Sequence, residues 1–135
     1  MYSNILVPIS FDAERDAQGA VEIARALADD AGKINLVHVI EQIPGYAASF
    51  LPPEFMEKQR RSMLDTLAQM ARDLPDATCA VISGHAGRTL LDWVTAHDVD
   101  CIVIASHRPG MQDLMLGSTA AKVVRHAKCA VHVLR

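Results

Sequence analysis

Short β-branched apolar runs alternate along this chain with stretches whose apolar residues recur every three or four positions. That alternation constrains the fold more than any other feature. Ser3 to Ile9 (SNILVPI) reads as a buried strand, and Ala13 to Ala31 as a helix with Ala17, Val21, Ala24, Leu27, Ala28 and Ala31 on one face. Asp12 is placed to cap that helix and Gly32 to end it. Lys33 to Ile40 (KINLVHVI) is a second strand, and Glu41 to Pro52, with Pro44 and Gly45, a loop. Pro53 suits a first helical turn, Met56, Met63, Leu67, Met70 and Leu74 supply an inward face, and Pro75 stops the helix. Thr78 to Ser83 and Asp100 to Ala105 (DCIVIA) are further strands, separated by a helix from Arg88 to His97 around Leu90, Leu91 and Val94. A last helix, Ser118 to His126 with Ala120, Val123, Val124 and Ala127 inward, precedes a final strand, Cys129 to Leu134.

Five strands alternating with four helices predict an α/β fold, a parallel sheet covered by helices on both faces. Right-handed crossovers leave few ways to wind it. The length of 135 residues suits one domain over residues 1–135, and no repeat or low-complexity segment divides it. Half of the residues are hydrophobic but only 4% are aromatic, so the core must be filled by Ala, Val, Ile, Leu and Met.

A formal net charge of −3 argues against a surface that wraps nucleic acid. The C-terminal part is more basic, with Arg108, Lys122, Arg125, Lys128 and Arg135 against Asp100 and Asp113. Such a bias suits a small anionic ligand or simply a solvated helix face. No apolar run is long enough to span a bilayer, and no basic leader precedes an apolar segment at the N-terminus, so no membrane association and a cytoplasmic location are expected. Cys79, Cys101 and Cys129 lie in apolar β-like runs and are expected to be buried structural thiols. Neither they nor the scattered histidines have metal-ligand spacing.

In a doubly wound sheet a ligand binds beyond the carboxyl ends of the strands, where the winding reverses. With the first strand central, the loops that meet there are Pro8 to Asp12 and Ser106 to Gly117. The second is long for a connection of this kind. It ends at Gly117-Ser118-Thr119, where free backbone N–H groups and the helix dipole favour an anion, while the two hydroxyls serve equally well as helix caps.

These segments together resemble the universal stress protein family along nearly the whole chain. NILVPIS resembles its first strand, LVHVI its second, and IVIASHRPGMQDLMLGSTAAKVVRHAKCAVHVLR its loop, its Gly-Ser helix start, its Arg-His-Ala helix end and its last strand. The resemblance implies a doubly wound, Rossmann-like sheet of the adenine nucleotide alpha hydrolase-like type, strand order 3-2-1-4-5. It further implies a homodimer through the final strand, Cys129–Leu134, and in many members an ATP site. That family's ATP pattern is a glycine, two residues, a glycine, nine residues, a glycine and then Ser or Thr. Here Ala105 stands at the first glycine and Arg108 at the second, and eight residues separate Arg108 from Gly117. Ser10 replaces the usual aspartate after Pro8-Ile9.

An added methyl at position 105 is tolerable where φ is negative. The Arg108 guanidinium offers a bidentate phosphate donor in place of lost backbone contacts. On this reading adenine packs on Ile9 and Val39 beside Pro8 and is read by backbone groups at the strand ends, although both side chains would be core residues in any case. Ser10 or Asp12 meets the ribose or a magnesium ion held by the phosphates, with Asp12 as a helix cap the alternative. Arg108, Gly117, Ser118 and Thr119, with backbone from Ala105 and Ser106, hold the phosphates. His107 contacts phosphate or caps the loop.

The expected function is a stress-response protein that binds an adenine nucleotide, ATP before ADP or AMP, and acts through conformation or a partner. A nucleotide-free homodimeric interaction module is the alternative. An enzyme is not expected beyond slow incidental ATP hydrolysis, because no G-x-x-x-x-G-K-S/T loop and no nucleophile–base–acid set is present.

Overall fold

The computed structural model describes residues 1–11, 17–41, 50–106 and 116–135. The chain runs β1 (Tyr2–Pro8), α1 (Ala17–Leu27), β2 (Ala28–Ile40), α2 (Pro53–Met70), β3 (Ala77–Ser83), α3 (Ala86–Ala96), β4 (Cys101–Ala105), α4 (Ser118–His126) and β5 (Ala130–Leu134). The strands form one five-stranded sheet in the order β3-β2-β1-β4-β5, every pair parallel. The sheet is doubly wound: the chain moves outward from β1 to β3, then returns to the other side of β1 at β4.

Strand alternation divides the core. Ile5, Val7 and Ile9 of the β1 segment and Ile34 and Leu36 of β2 point to one face, where Ala20, Val21 and Ala24 of α1 and Leu67 of α2 cover them. Leu6, Val37, Ile102 and Ile104 point to the other, against Leu90 and Val94 of α3 and Ala120 and Val123 of α4. Both faces are buried, so β1 and β4 read as continuous apolar runs rather than alternating ones.

The helical period breaks down at the end of α1. Ala28 and Ala31 continue its apolar spacing, yet the helix stops at Leu27 and residues from Ala28 onward join β2. Tyr2 pairs with Ala28 but Asn4 pairs with Lys33, so β2 bulges between these contacts. Gly32 sits in the bulge rather than at a helix end. A Cβ there would lie 2.9 Å from the backbone N and O of Asp29 and 3.0 Å from the Tyr2 carbonyl oxygen, so only glycine lets the chain close on itself.

Three other expectations are corrected. Helix α2 ends at Met70, and Leu74 is buried from the turn that follows it. Met56 and Val124, expected inward, are 45% and 43% exposed, because each lies on the flank of a helix whose packed stripe is narrow. Cys101 is buried, whereas Cys79 and Cys129 are half-buried; Cys129 lies before β5, not inside it.

Polar groups join the amino ends of the strands. Asn35, 2% exposed, donates from Nδ2 to Asn4 Oδ1 at 2.7 Å and to the Ile5 carbonyl at 3.0 Å, and its Oδ1 accepts from the Thr78 hydroxyl at 2.6 Å. The Asp100 carboxylate accepts from the backbone N–H groups of Ser3 and Asn4 and from the Ser3 hydroxyl. These contacts hold β1 against β2 and β4 at the end opposite the candidate site.

Candidate functional site

The carboxyl ends of β1, β2 and β4 open onto a cleft of about 300 Å³. It lies where β1 separates the two halves of the winding, the position where open α/β sheets take ligands. Its volume reaches the lower range of small-molecule sites.

Six of the residues singled out from sequence meet here: Pro8, Ile9, Ser10, Val39, Ala105 and Thr119. The Ile9 N–H donates to the Val37 carbonyl at 2.8 Å, which carries the β1 ladder past its last strand residue and fixes the rim. Ser106 is 1% exposed and does not line the cleft. Its N–H donates to the Leu134 carbonyl at 2.9 Å, and its carbonyl accepts from the Gly117 N–H at 2.8 Å. Ser106 therefore joins the ends of β4 and β5 to the start of α4. Neither Gly117 nor Ser118 lines the cleft directly; both adjoin Thr119, which does. Asp12, His107 and Arg108 lie outside the described residues.

The N-terminus of α4 bears on what the cleft could hold. Gly117 precedes the helix with φ −59° and ψ 156°, and no side chain caps it. The Ser118 and Thr119 hydroxyls thus do not perform the capping role open to them. Gly117 spends its own N–H on Ser106, so the uncapped donors are the N–H groups of Ser118, Thr119 and Ala120. With the helix dipole they present partial positive charge to the rim. Helix α3 likewise begins after His85 without a side-chain cap, and its first residue, Ala86, lines the cleft. Among the described lining residues the one formal charge is the Glu41 carboxylate.

Beyond the six residues named above, sequence reasoning missed the other lining residues of β2 and β4 and those of α1 and α3. Val37, Leu90 and Ile104 read as core residues, and they form the apolar floor. Ala17, Ala20 and Ala86 provide space near the rim, and no signal distinguished them from other small helical residues. His38 is the one imidazole within the apolar run NLVHVI, a pattern that fits a core position as well as a cleft. Its Nδ1–H donates to the Ile9 carbonyl at 2.7 Å, and the Phe11 ring meets it edge-on with centroids 4.5 Å apart at 61°. Among the described residues no group of three or more His, Cys, Asp or Glu side chains is gathered as for a metal, and no helix is long and apolar enough to cross a membrane.

The chain matches the family model described as the universal stress protein family over residues 1–135. It is 29% identical over 143 residues to universal stress protein A homolog 2 of Coxiella burnetii, covering 99% of this chain and 95% of that one. In structure it resembles universal stress protein UspA from Lactobacillus plantarum, with a TM-score of 0.77, 25% identity and coverage of 99% and 98% of the two chains. An Arabidopsis thaliana universal stress protein family protein with AMP bound shares the fold, with a TM-score of 0.62, 21% identity and coverage of 98% and 90%. So do a universal stress protein in complex with cAMP, TM-score 0.74 and 15% identity, and one from Archaeoglobus fulgidus in complex with dAMP, TM-score 0.65 and 19% identity. Fold, strand order and a family match along the entire length agree: the chain belongs to the universal stress protein family.

Proposed function

We propose that the cleft binds an adenine nucleotide, ATP in first place and ADP or AMP as smaller ligands, and that the protein acts in a stress response through conformation or a partner rather than turnover. The observation that carries this reading is the uncapped N-terminus of α4 at the rim of a cleft at the winding reversal. The neighbours solved with AMP, cAMP and dAMP support the class of ligand.

In this arrangement the phosphates lie against the N–H groups of Ser118 and Thr119 and the Thr119 hydroxyl, and near the backbone of Ala105. Arg108 supplies the guanidinium that balances their charge, which no described lining residue does. Ile9 and Val39 flank the base, and Ser10 faces the ribose. Magnesium, when present, is carried by the phosphates and not by a protein cage. Two copies pair through the outer edge of β5, which neighbours only β4 within the sheet. The location proposed is the cytoplasm.

A nucleotide-free interaction module is the second reading, favoured by the methyl of Ala105 and by the Glu41 carboxylate at the cleft. Release of bound small molecules from freshly purified protein by heat, followed by mass spectrometry, separates the two. An adenine nucleotide near one equivalent supports the first reading. A protein free of nucleotide that also fails to take up added ATP supports the second.

A further inference from the structure

The sheet ends on β5, whose backbone groups alternate in direction along the strand. The Leu134 carbonyl accepts from the Ser106 N–H, so Leu134, and with it His132 and Ala130, turns its backbone groups toward β4. Val131 and Val133 turn theirs outward, where no further strand lies among the described residues. Side chains alternate as well. Val131 and Val133 pack on the core beneath α3 and α4, and Leu134 on the core of the opposite face. His132 shares the Leu134 face, where it is exposed and has Val103 of β4 as its strand neighbour.

A second copy added at this edge pairs Val131 and Val133 reciprocally about a two-fold axis, which makes the strands antiparallel. The strand has five residues, and the axis that overlaps all of them passes through His132. Val131 then bonds with the partner's Val133, and Ala130 faces the partner's Leu134. The two His132 residues meet as a pair without mutual backbone bonds, Cα atoms about 4.5 Å apart and side chains on one face. The centre of the interface is thus the one titratable side chain of the strand.

We propose that His132 makes pairing through β5 proton-sensitive: neutral imidazoles pack side by side across the axis, and protonation sets two like charges directly opposite and drives the copies apart. This rests on the β5 dimer proposed above. The elements packed most closely on β5 are β4 and α4, and neither carries a carboxylate to offset an imidazolium pair. On the His132 face β4 presents Cys101, Val103 and Ala105, whereas Lys122, Arg125 and His126 belong to α4, across the sheet. Asp100, before β4, spends its carboxylate on Ser3 and Asn4. The charges flanking β5 along the chain, Lys128 and Arg135, are cations. Separated chains each take up a proton and the paired strands resist the second, so association weakens as pH falls.

Analytical ultracentrifugation of the full chain at about pH 8 and about pH 5.5 brackets the titration of an imidazole. The wild-type protein is expected to be dimeric at the higher pH, and its dissociation constant to rise about tenfold at the lower, with circular dichroism showing a folded monomer. His132→Gln, polar but not titrating, should dimerise alike at both. His132→Lys, charged throughout, should be about tenfold weaker than wild type at the higher pH. A pH response that persists in His132→Gln overturns the proposal, because another group then carries it. A His132→Lys dimer as tight as wild type, or acid unfolding in place of dissociation, overturns it too. A wild-type protein that is monomeric at both values overturns the β5 dimer itself, whereas a dimer of equal affinity at both overturns only the role of His132.

Discussion

The backbone N–H of Gly117 donates to the carbonyl of Ser106 at 2.8 Å, so the two ends of the connection from β4 to α4 are clasped whatever path the residues between them take. The same Ser106 is tied through its own N–H to Leu134 at the end of β5. The start of α4 is thereby held at the mouth of the cleft by the sheet itself.

Gly117→Pro tests this clasp. The φ of −59° suits proline, but the ring carbon would take the place of the N–H and meet the Ser106 carbonyl oxygen, so the substitution breaks the clasp and forces its two ends apart. The variant should lose about 2–3 kcal/mol of stability and bind ATP about tenfold more weakly, as the helix start loses its fixed aim. Thermal melts and titrations on the same sample read both quantities. Unchanged affinity would show that the clasp does not align the phosphate donors.

Asn35 is the polar member of a buried strand, and its side chain bonds to three partners across β1 and β3. Asn35→Leu fits the apolar surroundings but strands the Thr78 hydroxyl and the Asn4 side chain. It should lower stability by about 2–3 kcal/mol in urea unfolding while leaving nucleotide affinity nearly unchanged, because the network lies at the opposite end of the sheet.

Asp100 gives the fold a pH dependence of defined sign. Partial burial pushes its carboxyl upward, but hydrogen bonds from the Ser3 N–H, the Asn4 N–H and the Ser3 hydroxyl outweigh that effect and hold it below its ordinary value. A carboxyl lowered in the folded state contributes stability that is present above its unfolded value, about 4. That contribution is lost as pH falls through the still lower folded value. Asp100→Asn should therefore be less stable than wild type at neutral pH, and the gap should narrow on acidification below about pH 4. A gap independent of pH would contradict this assignment.

Burial pushes the Cys101 thiol up to about 11, with Cys129 and Asp100 adding to the shift, and burial raises Cys79 and Cys129 as well. Thiolate is the reactive form. Alkylation at pH 8 should therefore be slow for all three in the folded protein, with Cys101 modified last, and should be complete within minutes in denaturant. Rapid labelling of Cys101 in native protein would contradict its burial.

The sheet was legible in the sequence because strands buried on both faces are apolar without interruption, and the helices between them carry a different period. Legibility failed where two patterns overlapped. Ala28 and Ala31 satisfy the helical spacing, and pairing of Ala28 with Tyr2 overrides it; only the tertiary partner decides. Val124 adjoins the buried Val123 on α4, and spacing alone does not say which of two adjacent valines faces the sheet. At the site, Pro8, Ile9, Ser10, Val39, Ala105 and Thr119 were legible through the winding rule and the family resemblance. His38 was not, since a lone histidine in an apolar run is as consistent with a core position as with a cleft. The burial of Ser106, its hydrogen bonds used between strands, was equally hidden, because a serine after a strand end suggests an exposed loop.

The central claim, that the cleft at the reversal of the winding takes an adenine nucleotide, is tested most directly by calorimetric titration of nucleotide-stripped protein with ATP, ADP and AMP. Saturable binding near one nucleotide per chain, accompanied by a rise in melting temperature, is the predicted result. No heat and no thermal shift at millimolar nucleotide would contradict it.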